Sequence, residues 1–197
     1  MSYEWLHDLI MYLMLGMVLV ATYIIVERMI FFGYAMKEGK NLATFINSHL
    51  HDQRLHQEVR DLFGNSRGPQ GQVMCEIINA APMSHDATEF FVQSVYVAKQ
   101  SQLTKRLWLL DTIVTLSPLM GLLGTIMGII DAFHSLATHG NSDPTAVSRG
   151  IGTALFATGL GISIALYSMT FFNYFGEKVE QINSQIKLIS LKFLSSK

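Results

Sequence analysis

Charge is scarce in this chain: only 15% of its 197 residues are Asp, Glu, Lys or Arg, while half are apolar. A typical soluble domain carries about a quarter charged residues, so the composition argues against one. Cysteine is nearly absent. Cys75 stands alone and excludes an intrachain disulfide; its expected role is packing in a reducing compartment. No run of Lys and Arg interleaved with aromatics exists, which removes the electrostatic footprint of a nucleic-acid binder. Hydrolase triads, phosphate loops and dinucleotide fingerprints are missing too, so neither an enzyme nor a bound cofactor is expected. Positive charge is lacking at the amino terminus, where Glu4 and Asp8 replace the basic start of a secretory signal. The first apolar run is therefore expected to remain in the mature protein. Alternating strand patterns are also absent.

What the sequence does contain is three long apolar runs. About 20 apolar residues at a rise of about 1.5 Å cross the hydrocarbon of a bilayer. The runs predict transmembrane helices over 9–33, 112–136 and 147–172. Trp5 and Tyr34 flank the first as interfacial aromatics do. Glu27 and Arg28, at its inner end, are expected to reach the headgroups or pair with nearby charge. Residues 1–8 and the hairpin 137–146 hold no Lys or Arg. Lys37, Lys40, Arg54, Arg60, Arg67, Lys99, Lys105 and Arg106 all lie in 34–111, and Lys178, Lys187, Lys192 and Lys197 in 173–197. Positive-inside sorting then puts the amino terminus and hairpin outside, and the long loop and the tail inside, in the cytoplasm. Arg149 alone breaks the pattern, with Asp131 or water as its possible partner. In the hairpin, Asp143 and Pro144 suit the N-cap and first position of the third span.

The inner segments read as helices. Leu55, Val59, Leu62 and Phe63 form one amphipathic stripe, broken at Gly64-Asn65-Ser66-Arg67-Gly68-Pro69. A second helix begins near Gln70 and stops near Pro82. Asp86 and Glu89 have capping-box spacing for a third that leads toward Asp111, an acid at the inner mouth of the second span. In the tail, Phe175, Val179, Ile182, Ile186, Ile189 and Phe193 alternate steps of four and three. That seam fits either an intrachain bundle or an intersubunit wall. His49, His51 and His56 with Asp52 do not share a helical face, so no metal site is expected there. The fold class is an all-α integral membrane protein with three transmembrane helices, two of them extended into a helical cytoplasmic region.

Glycine and threonine carry the functional signal. The second span contains Ser117-Pro118-Leu119-Met120-Gly121-Leu122-Leu123-Gly124-Thr125-Ile126-Met127-Gly128. The third contains Gly150-Ile151-Gly152-Thr153-Ala154-Leu155-Phe156-Ala157-Thr158-Gly159-Leu160-Gly161. Small residues let helix backbones approach closely in lipid. These two strings, in this layout of spans, resemble the paired signatures of the ExbB/TolQ/MotA proton-channel family, and three spans suit its ExbB and TolQ branch.

The resemblance implies a homopentamer around a lumen that receives the single helix of an ExbD- or TolR-like partner. The partner would carry the protonatable aspartate, and the assembly would drive a TonB-like protein. It further implies that Thr125, Thr158 and Thr153 line the lumen, and that Pro118, Gly121, Gly124, Gly128, Ala154, Ala157 and Gly161 pack the helices around that partner. Taken alone, either Thr125 or Thr158 is more readily a hydroxyl bonded back to its own helix than a lumen group; finding both in matching motifs reverses the preference. Thr153 stands where many relatives place a glutamate, and Arg149 where a proline is frequent. A neutral wall has a physical logic, since a charge crossing the membrane releases about 2.3 kcal/mol per 100 mV and a fixed countercharge would trap it. A TolQ-like role in envelope integrity, or a non-conducting scaffold for a one-span partner, are the alternatives.

Overall fold

The structure is a computed structural model that describes residues 4–49, 55–63, 66, 68–79, 85–139 and 144–195. Among the described residues there is no strand. Six helices follow one another: α1 Glu4–His49, α2 Leu55–Phe63, α3 Pro69–Asn79, α4 His85–Leu103, α5 Leu107–His139 and α6 Pro144–Ser195. Three of them, α1, α5 and α6, contain segments long and apolar enough to cross a membrane. The expected hairpin residues Gly140 to Asp143, the break at Gly64, Asn65 and Arg67, Pro82, and His51 with Asp52 lie outside the described residues. So do the side chains of Asp86 and Glu89.

The chain divides into two compact units. The first comprises Met1–Val26 and Arg106–Asn173, and holds the beginning of α1, all of α5 and the first part of α6. Its core forms because each helix offers one apolar face: Ile10, Met14, Ala21, Ile24 and Ile25 from α1, Leu110 and Ile113 from α5, and Ala154, Ala157 and Ile164 from α6, all buried. The opposite faces carry large apolar side chains in the open, Tyr12 at 72%, Leu19 at 65% and Leu155 at 64% exposed. So much exposed apolar surface suits lipid as the surrounding solvent.

The turn into α5 ends on Arg106, whose φ of 65° is left-handed, the conformation in which helices often terminate although glycine is the usual occupant. Its guanidinium lies 6.0 Å from the centre of the Tyr23 ring, a cation–π contact that ties the turn to α1.

The second unit comprises Glu27–Lys105 and Tyr174–Lys197. Here the rest of α1 buries Phe32, Ala35, Leu42 and Ile46, and the rest of α6 buries Phe175, Val179, Ile182, Ile186 and Ile189. Phe32 and Phe175 stack at 5.5 Å. The tail seam is thus accounted for by packing within one chain.

Gln70 of α3 is buried between these helices; its Nε2 donates to the Ala35 carbonyl at 3.1 Å and to Gln185 Oε1 at 3.3 Å. One amide therefore joins three helices. Gly39 makes room for it, since a Cβ there would come within 2.6 Å of both amides. Lys99 of α4 pairs with Glu76 of α3 at 2.9 Å.

Arg28 does not reach outward but pairs with nearby charge, the second of its expected courses. Only 2% exposed, it lies 3.6 Å from Glu27 and donates from Nη1 to the Gln102 carbonyl at 3.3 Å. Gln102 belongs to the last turn of α4, where the helix leaves carbonyls without amide donors and a cation is favoured.

Candidate functional site: the seam between α5 and α6

Helices α5 and α6 meet along their small residues. A Cβ added to Gly121 would lie 2.9 Å from the Ala157 carbonyl oxygen and 3.0 Å from Thr158 Cα; one added to Gly161 would lie 2.5 Å from the Ser117 carbonyl oxygen. Likewise a Cβ on Gly124 would meet the Ala157 methyl at 2.9 Å, and one on Gly128 the Ala154 methyl at 2.8 Å. Every predicted packing glycine therefore occupies a place where a side chain does not fit. Pro118 lies within α5 and is half-buried. Gly150, one of the small residues of the third-span string, belongs to the same seam: its Cβ would meet the Ala132 methyl at 2.9 Å. Its spacing of four from Ala154 was the available signal.

This close approach brings two of the three predicted threonines together. Thr158 Oγ1 donates across the seam to the Gly121 carbonyl at 3.1 Å and lies 3.5 Å from Thr125 Oγ1. Thr125 is 9% exposed, and its own hydroxyl donates to the Leu122 carbonyl at 2.6 Å. Thr125 thus makes the local bond that any helical threonine can make, whereas Thr158 makes a bond that needs the second helix. Both hydroxyl protons are committed to carbonyls, and lone pairs remain free to accept. Thr158 is only half-buried, so a donor can reach the pair from its side.

Thr153 stands apart. It is exposed and donates to the Gly150 carbonyl of its own helix at 2.9 Å. Thr153 and Thr158 are five positions apart, about 140° around the helix, so one seam within a single chain does not hold both. The other face of α6 has its own small residues, Gly152 and Gly159, and a Cβ on either would meet nothing within 4 Å.

Thr125 and Thr158, which meet in the seam, do not titrate in the physiological range. The pair can accept a hydrogen bond from a protonated group or, by rotating a hydroxyl, donate one to an anion. It cannot itself take up a proton at physiological pH. Among the described residues, no cluster of three or more His, Cys, Asp and Glu could hold a metal ion.

Comparison with known proteins agrees with this architecture. An ExbB-like biopolymer transport protein of Synechocystis is 26% identical over 189 residues, covering 91% of this chain and 90% of its own. A biopolymer transport protein ExbB homolog of Methanothermobacter thermautotrophicus is 29% identical over 126 residues, 64% of this chain and 44% of that one. The biopolymer transport protein ExbB of Aquifex aeolicus is 34% identical over 82 residues, 42% of this chain and 55% of that protein. The chain thus spans about half the length of the latter two relatives. The MotA/TolQ/ExbB proton channel family model matches residues 65–188, which include the whole seam. The chain is a multi-pass membrane protein and belongs to the MotA/TolQ/ExbB proton channel family.

Proposed function

We propose that this chain is the pore-forming stator subunit of an ExbB-like complex in the inner membrane. The complex uses the proton-motive force to energise a TonB-type protein for transport at the outer membrane. Five copies surround a lumen, and an ExbD- or TolR-like one-span partner places its aspartate there. The amino terminus is periplasmic and the second unit cytoplasmic, as the distribution of Lys and Arg favours.

The observation that carries this reading is the hydroxyl pair of Thr125 and Thr158, 3.5 Å apart and close to the middle of both apolar segments. A hydroxyl at membrane depth can solvate a carboxylic acid in either protonation state without adding a charge of its own. Thr153, on the exposed side of α6, reaches the lumen only through assembly with neighbouring copies.

Replacing both threonines by valine preserves volume and removes both hydroxyls. In a complex that still assembles with its partner, Thr125→Val with Thr158→Val should abolish proton-driven output. Full output from the double variant would refute the role assigned to the pair.

A further inference from the structure

Ser168 is completely buried on α6 in the first unit, and its hydroxyl has no hydrogen-bond partner among the described residues. Serine in a membrane helix ordinarily donates to the carbonyl one turn back. Ser163 and Thr170 do so on the same helix, to Gly159 and Leu166 at 2.8 Å each. A buried hydroxyl left unpaired at membrane depth is costly and calls for an explanation.

The facing helix has a matching defect. Pro118 lies inside α5 and has no amide hydrogen, so the carbonyl of Val114, four residues earlier, has no i+4 helical donor. The two helices keep a regular antiparallel register: Gly150 lies against Ala132, Ala154 against Gly128, and Gly161 against Gly121. Carried seven residues further along α6 and seven back along α5, the register sets Ser168 level with Val114. Ser117 lies within one turn of that level, is completely buried, and uses its proton on the Ile113 carbonyl at 2.6 Å. Its lone pairs remain available.

The geometry points to a second polar station in the seam, in which Ser168 Oγ, the Val114 carbonyl and Ser117 Oγ hold a single water molecule that serves as a stepping point for protons. Three neutral oxygens match the two to four partners that a buried water takes. A bare alkali cation would need more oxygens in place of its hydration shell. The site is proton-neutral over a cycle: the water accepts a proton on its free lone pair, releases another from a different O–H, and returns to its starting composition. Eight residues of α5 separate Ser117 from Thr125, about 12 Å toward the amino-terminal end of the helix. The water itself does not depend on the proposed function, whereas its place on a proton path does.

The test uses the assembled complex with its partner in lipid vesicles. Cys75 is first replaced by serine, so that Ser168→Cys introduces a single thiol. On transfer to deuterium oxide, the infrared S–H band of that thiol should move to the S–D position, because the water exchanges with its surroundings. The band of an Ile164→Cys control, one turn away on the same buried face of α6, should lag behind. Persistence of the S–H band overturns the water site. Ser117→Cys supplies a second probe should the first variant assemble poorly, and is read in the same way.

Ser168→Ala, which removes the hydroxyl with little change in volume, should lower proton flux about tenfold through loss of one hydrogen-bonding group. Thiol exchange without that loss removes the water from the proton path. A parent complex that conducts no protons counts against the function proposed above, and the exchange experiment still decides the water.

Discussion

Two substitutions two residues apart on α6 separate close packing from helix propensity. Gly161→Ala would set a methyl carbon 2.5 Å from the Ser117 carbonyl oxygen and 3.0 Å from Gly121 Cα. Both are backbone atoms and cannot turn aside. Reaching an ordinary contact of 3.4 Å from 2.5 Å requires the helices to part by about 0.9 Å. A shift of that size forfeits a quarter to a half of the dispersion attraction along the contact. Applied to the bond from Thr158 to the Gly121 carbonyl, now 3.1 Å, the shift leaves about 4 Å, beyond hydrogen-bond reach.

Overpacking of this kind costs about 1–3 kcal/mol, against a gain of about 1 kcal/mol from replacing glycine by alanine in a helix. Gly159→Ala and Gly152→Ala collect the same gain where a Cβ meets nothing within 4 Å. The propensity term cancels in the comparison, so Gly161→Ala should be less stable than either control by about 1–3 kcal/mol. Unfolding of the purified protein in mixed detergent and dodecyl sulfate micelles, followed by circular dichroism, gives this difference. Equal midpoints for Gly161→Ala and Gly159→Ala would refute the account of the seam.

Gln70→Ala removes the amide that joins α1, α3 and α6 in the second unit. It should weaken that unit by about 1–3 kcal/mol and raise amide hydrogen exchange in α3 at least several-fold, with residues 112–136 unaffected; unchanged exchange in α3 would count against the role of the amide. Burial raises the Cys75 thiol above its ordinary value, with Arg60 partly opposing. Alkylation of the native protein should therefore rise with pH through a midpoint above about 8.5, and a midpoint at or below that value would contradict the burial. The same shift favours the fold fully at neutral pH, and that contribution fades as pH climbs through the raised value.

Periodicity makes much of the fold legible in the sequence. The tail from Phe175 to Ile189 shows its seam openly because apolar residues recur among polar ones. The extension of α1 to His49 was harder to see, since Glu27, Arg28, Lys37, Glu38 and Lys40 end the apolar run. Yet Phe32, Ala35, Gly39, Leu42 and Ile46 repeat at steps of three and four, and all five are buried; hydropathy hid what spacing carried.

The site divides in the same manner. Gly121, Gly124, Gly128 and Gly161 announce close approach because small residues recurring at helical spacing let backbones meet in lipid. Ser168 announces nothing, because one serine in an apolar run is ordinary until its neighbours are known. Gln70 and Arg28 are alike in this respect: their partners, Gln185 and the Gln102 carbonyl, lie 115 and 74 residues away, and no local pattern links them.

The bond from Thr158 to the Gly121 carbonyl has one more consequence. A wall made of acids or bases would have to be reset after each passing proton, and its reset would run at the pace of its own titration. A hydroxyl whose proton rests on a backbone carbonyl has only an orientation to restore, and rotamer changes take picoseconds to nanoseconds where side chains are free to turn. In the complex proposed above, such a wall would have no memory of the last proton when the next arrives, and the tempo would pass to whatever moves the partner's acid.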